Sequence, residues 1–141
     1  DFCLSRGLGD VYKRQVVDTS GSMSAKQIGM ALGSIASYAA AKDVPFVRII
    51  FCDAKATDAG YLAPEDIAGR VKVTGRGGTI LQPGVDCLEQ ANDFPKDGPI
   101  LIITDGEIEN DLKVRREHAF LLPRGNRLPF RARGEVFYFR E

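Results

Sequence analysis

The chain has 141 residues, 44% of them hydrophobic, which suits one domain with a substantial core. Lys plus Arg and Asp plus Glu balance at 19 each, so no net field draws it to nucleic acid or to an anionic membrane. No apolar run approaches the ~18 residues of a membrane-spanning helix, and the single histidine, His118, leaves a His-based triad or a His-rich zinc site almost without material.

In chain order the first element is "VV", Val16 and Val17, the end of a buried strand that runs into the polar turn "DTSGS". Such a strand is expected to hold about five or six apolar residues, yet Lys13, Arg14 and Gln15 stand where its first half belongs. The preceding "CLSRGLGDVYKRQ" resembles translated sequencing-adapter text at the ends of gene fragments. Residues 1–15 are therefore expected to be a non-native segment ahead of a domain over 16–141, with its first strand truncated. An amphipathic strand start is the competing reading.

From Ser24 to Lys42, Ile28, Leu32, Ile35 and Ala39 recur at helical spacing, and Ser24 with Gln27 has the pattern of a capping box. Gly29 and Gly33 each cost a helix about 1 kcal/mol against Ala; they are expected to let it lie close to a sheet. "PFVRIIFCDA" (45–54) reads as a second strand buried on both faces. "TDAGYLAPEDIAG" follows as a short edge strand or turn with one helical turn, and "RVKVTGRGGT" leads from an extended piece into a glycine-rich loop. Leu81, Val85, Leu88 and Ala91 make a second helical stripe, with Pro83 in the first turn, where it breaks no hydrogen bond.

"PILIITDGE" holds the cleanest strand, Ile100–Ile103. "HAFLL" and "EVFYF" are two further strands, joined by "PRGNRLPFRARG", too rich in Pro, Gly and Arg to be regular. Alternating strands and helices predict a three-layer, Rossmann-like α/β fold: a mostly parallel sheet with helices on both faces. Three cysteines (Cys3, Cys52, Cys87), odd in number and without a C-x-x-C, point to reduced thiols and a cytoplasmic setting, with Cys52 and Cys87 packed as small apolar groups.

In an open α/β sheet, ligands bind beyond the carboxyl ends of the strands, at a topological switch point. Three polar segments are expected near that rim: "DTSGS", "GRGGT" and "TDGE". They offer Asp18, Ser20, Ser22, Thr79 and Asp105. Two carboxylates and three hydroxyls form an all-oxygen set, which suits a hard cation such as Mg²⁺ or Mn²⁺.

These residues carry a resemblance. "DTSGS" resembles the D-x-S-x-S of the von Willebrand factor A (VWA) domain, and "GGT" (77–79) and "TDG" (104–106) are similar to that family's second and third metal segments, in the same order. The set resembles its metal-ion-dependent adhesion site (MIDAS), with all five positions present, across roughly residues 16–107. Within the family the chain is most similar to bacterial intracellular VWA-like domains, some of which end longer metallopeptidase-type proteins. No H-E-x-x-H is present here.

The resemblance implies that Ser20 and Ser22 bind the ion directly, Asp18 through a water, and Thr79 in one of two states, with Gly77 and Gly78 freeing its loop. Two carboxylates cancel the ion's double charge while the hydroxyls contribute dipoles only, so the ion stays electrophilic with one place open. A Glu or Asp from a protein partner is then the natural sixth ligand. The implied function is a non-enzymatic, divalent-metal-dependent protein-interaction module. Its implied partners are a protein that supplies the acidic side chain and, by likeness to bacterial relatives, an AAA-type ATPase complex. Nucleic acid and membrane are not expected partners.

Other chemistries fit less well. A haloacid-dehalogenase-like Mg²⁺ phosphatase needs D-x-D, one Asp as nucleophile and one as acid/base, and Ser20 stands at the second position. A serine hydrolase needs G-x-S-x-G, which "TSGSM" is not. A passive appendage of a lost upstream metallopeptidase-like region is the third alternative. Taken singly, Asp18 and Ser20 read as turn caps and Asp105-Gly106 as an ordinary turn. Asp53 reads as a loop cap, with an outer-shell carboxylate as the alternative. Glu107 and Glu109 read as solvated charges, with added metal oxygens as the alternative, and His118 as a satisfied strand histidine. Arg115, Arg116, Arg124, Arg127, Arg131 and Arg133 read as a solvated face, with an acidic partner or phosphate as the alternative.

Overall fold

A computed structural model of the chain describes residues 14–18, 25–41, 46–52, 56–67, 80–90 and 100–139. Its strands are β1 (Arg14–Asp18), β2 (Val47–Cys52), β3 (Ala56–Leu62), β4 (Ile100–Ile103), β5 (His118–Pro123) and β6 (Glu135–Phe139). They form one sheet in the order β3-β2-β1-β4-β5-β6. Every described pairing is parallel except the β2–β3 hairpin at one edge. The helices are α1 (Ala25–Ala41), α2 (Pro64–Ile67) and α3 (Gln82–Glu89). The expected α/β architecture is therefore present.

Alternation along the central strands divides the core. Val17, Ile49, Leu101, Ile103 and Leu121 face α1, whose Ile28, Leu32, Ile35 and Ala39 are all fully buried. Val16, Ile50, Ile100, Ile102 and Phe120 face the other way, beneath Leu81 and, from α3, Val85 and Leu88. Strands buried on both faces read as continuous apolar runs, which is why "RIIFC" and "ILII" lack the alternation of a half-exposed strand.

β1 runs back to Arg14, pairing residue by residue with β2 from Arg14↔Arg48 to Asp18↔Cys52. Gln15 is fully buried, opposite Ile49 and Leu101. Backbone ladders on both sides hold this central strand whatever its side chains. Residues 1–13, most of the segment expected to be non-native, lie outside the described residues, as does Ser24 of the capping box.

Connections from β1 to β2 and from β4 through β5 to β6 run in opposite directions across the sheet. A constant crossover hand then puts them on opposite faces. The first passes through α1. The others contain no helix: residues 104–117 and 124–134 are irregular, and their Ile108, Leu112, Val114, Leu128, Phe130 and Ala132 pack on the α3 side. Loops thus do there what helices do elsewhere in such folds.

One packing expectation is corrected. A Cβ added at Gly29 or Gly33 would meet nothing within 4 Å among the described residues, so close approach to the sheet is not their role. The tight contact belongs to α3. A Cβ on Gly84 would lie 2.8 Å from Val16 Cγ1 and 3.2 Å from Cys52 Cβ, so this glycine sets how near α3 sits to β1 and β2.

Candidate functional site

The switch point falls between β1 and β4: the chain leaves β1 toward β2 and β3, then returns on the other side as β4. Val17 pairs with Ile103, so Asp18, one residue on, and Asp105, two residues on, stand at neighbouring carboxyl ends. Asp18 also pairs with Cys52 at the end of β2. Cys52 Sγ donates a hydrogen bond to the carbonyl of Ile80 at 3.3 Å, which brings the segment directly after Thr79 to the same end of the sheet. The side chain of Asp18, and Ser20, Ser22, Thr79 and Asp53 entirely, lie outside the described residues.

Asp105 is described in full. It is 4% exposed, and its Oδ1 accepts the Glu107 N–H at 3.0 Å. Thr104, also buried, accepts the Gly106 N–H on its Oγ1 at 3.1 Å, and Asn126 Nδ2 donates to the Asp105 carbonyl at 2.9 Å. Gly106 has φ +92, and a Cβ there would come within 1.9 Å of the Arg127 carbonyl oxygen. Only glycine supplies both the left-handed backbone and the room. "TDG" is thus a locked turn, built against the β5–β6 crossover, that fixes the Asp105 carboxylate.

Asp105 Oδ2 makes no hydrogen bond among the described residues. The oxygen-only set of Asp18, Ser20, Ser22, Thr79 and Asp105 has the donor chemistry of a hard divalent cation, and the state of Asp105 fits that chemistry.

The two nearby acids differ. Glu107 is exposed, as a solvated loop charge should be. Glu109 is not such a charge, and that expectation is corrected: its carboxylate accepts the N–H of Leu81 at 2.9 and 3.0 Å and that of Gln82 at 3.0 Å. It therefore caps α3, whose preceding residue Leu81 has no capping side chain of its own. Because cap and helix are more than 25 residues apart, no local motif announces the pair.

Cys52 is buried and Cys87 half-buried, both packed against the α3-side core. His118 opens β5, its Nδ1 2.8 Å from the Arg116 carbonyl; that partner can only accept, so Nδ1 carries the proton. Five of the six tail arginines are exposed as expected. Arg116 is the exception: it is 9% exposed, and Nη2 donates to the Glu89 carbonyl at 2.9 Å.

No helix among the described residues is long and apolar enough to cross a membrane. No curated protein matches the chain. A family model does: that of the VWA-like domain (DUF2201), over residues 14–116. The match takes in the segments of all five candidate metal ligands and stops just short of β5.

Proposed function

Because the chain belongs to the VWA-like domain family DUF2201, we propose that it is a divalent-metal-dependent protein-interaction module rather than an enzyme. Asp18, Ser20, Ser22, Thr79 and Asp105 would hold Mg²⁺ or Mn²⁺ in a MIDAS-type site. A bound ion would supply an electrophilic position for one carboxylate oxygen of an Asp or Glu on a protein partner. An AAA-type ATPase complex and a cytoplasmic setting complete the reading, carried by likeness to bacterial VWA-like domains alone.

The observation that supports it most is Asp105: a carboxylate buried at the rim of the switch point, with Oδ1 tied to the Glu107 amide. The turn around it spends two side-chain-to-backbone bonds and an obligatory glycine on fixing one carboxylate. Such pre-organisation suits a ligand-binding group better than a solvated turn.

The test is thermal unfolding with and without metal. Mg²⁺ or Mn²⁺ at a saturating concentration should raise Tm by several degrees, about 3 °C or more, and Asp18→Ala and Asp105→Ala should each abolish the rise. Equal rises in both variants would remove the site. Metal-dependent hydrolysis of a phosphate monoester that disappears in Asp18→Asn would replace the binding module with a phosphatase.

A further inference from the structure

Away from the carboxyl rim, on the α3 side of the sheet and beside the amino end of β5, the two irregular crossovers enclose a cleft of about 420 Å³. Lys113 and Arg115 line it from the first crossover, Arg131 and Arg133 from the second, with His118 and Phe130 between them.

Both walls share one construction. In "LKVR" (112–115), Leu112 and Val114 turn into the core while Lys113 and Arg115 are exposed. In "FRAR" (130–133), Phe130 and Ala132 turn inward while Arg131 and Arg133 are exposed. Extended segments place alternate residues on one side. Two such segments facing one cleft therefore present four cations to it.

None of the four forms an ion pair among the described residues, and no carboxylate lines the cleft. Lys113 and Arg115 also border a neighbouring groove with Asp86, Glu89 and Asp111, so the positive potential is strongest toward Arg131 and Arg133, where a multiply charged anion relieves it. The cleft's inner wall is aromatic: the buried Phe120 ring meets His118 edge-to-face at 5.3 Å and Phe130 at 5.7 Å, leaving the half-buried His118 and Phe130 rings at the cleft. The second ring nitrogen of His118, Nε2, makes no hydrogen bond among the described residues. The volume is in the range of small-molecule sites, roughly 300–1,000 Å³.

We infer that this cleft binds a nucleoside phosphate, its phosphates held by Lys113, Arg115, Arg131 and Arg133 and its base laid against Phe130 and His118. The inference is independent of the metal-site reading. Half of the cleft, from His118 onward, lies beyond the residues that match the family.

The probe is ADP, titrated calorimetrically into the whole chain in EDTA, so that nothing depends on a metal at the rim. ADP should bind with a Kd of about 100 μM or tighter, and Arg131→Glu with Arg133→Glu should weaken it at least about tenfold. Both arginines are exposed, and circular dichroism would verify that the double variant folds. Phe130→Leu, which keeps apolar bulk in the core, should weaken ADP while leaving inorganic phosphate unchanged.

No heat of binding at millimolar ADP would overturn the inference, as would equal affinity in the double variant. Inorganic phosphate or a polyglutamate peptide binding as tightly as ADP would also overturn it, since the aromatic wall would then contribute nothing.

Discussion

Three glycines allow backbone strain and steric overlap to be measured separately. Gly125 has φ +94 and open space where a Cβ would stand. Gly134 has no left-handed φ, but its Cβ would fall 2.1 Å from the His118 carbonyl oxygen. Gly106 has both defects: φ +92 and a Cβ 1.9 Å from the Arg127 carbonyl oxygen. Gly125→Ala should therefore cost only the left-handed penalty, about 1–2 kcal/mol. Gly134→Ala should cost about 2–3 kcal/mol, because a backbone carbonyl in a strand ladder must move aside. Gly106→Ala should cost about 4 kcal/mol or more, since the two terms add and the crossover must retreat by about 1.5 Å.

Urea unfolding followed by circular dichroism gives the three values, and a second probe tests two-state behaviour. For a chain of this size each kcal/mol is worth about 3–4 °C in Tm, so the ranking is readable by thermal melts as well. Equal costs for Gly106→Ala and Gly125→Ala would refute the reasoning. That result would mean that the Asp105 turn does not rest on the Arg127 carbonyl, and the locked-turn account of the candidate site would go with it.

Glu109→Gln should destabilise the chain by about 1–2 kcal/mol, because the charge at the helix start is lost and an NH₂ group replaces the second oxygen that now accepts the Leu81 N–H. Exposed Glu107→Gln should stay within about 0.5 kcal/mol of the parent in the same urea assay, and equal effects would refute the cap. Gly29→Ala and Gly33→Ala should each stabilise by about 0.5–1 kcal/mol in thermal melts, since the added methyl meets no described neighbour and the helix gains propensity. A loss in either would show a contact that this geometry excludes.

The elements most legible in the sequence are those whose pattern is local. Ile28, Leu32, Ile35 and Ala39 announced α1, and "ILII" announced β4 to the residue. The tail strands were equally plain, because apolar runs between Pro- and Gly-rich segments have few other uses. What stayed hidden depends on long-range partners. Gly29 and Gly33 look like packing glycines by composition, yet Gly84 is the one that lies against the sheet, a fact set by where α3 docks. Glu109 reads as a loop charge until Leu81 and Gln82 are brought to it by the fold. The alternation in "LKVR" and "FRAR" is visible in the letters, but that both face one cleft is a property of two parallel crossovers. Of the five candidate metal ligands, only Asp105 has a described side chain, and there the structure adds what no motif contains: the depth of its burial and the second crossover behind it.

The irregular crossovers stay ordered without helices because α3 and the first crossover complete each other. Gln82 accepts the Lys113 N–H on Oε1 and donates from Nε2 to the Lys113 carbonyl, both at 2.8 Å, as a neighbouring strand would. Glu89 Oε2 takes the N–H groups of Arg115 and Arg116 at 2.6 and 3.1 Å, while Glu109 returns the service at the other end of the helix. An eight-residue helix is too short to persist alone in water, and a loop without a ladder has no bonds of its own to offer. Neither piece is stable without the other, so they must form together. Asp105 opens this crossover and Thr79 stands two residues before Leu81, so Glu109 ties the chain just beyond the second candidate metal segment to the third through protein bonds. The chain from Leu81 onward is thus held to the Asp105 crossover before any ion arrives, which is what a candidate site there needs if binding is not to bear the whole cost of ordering its surroundings.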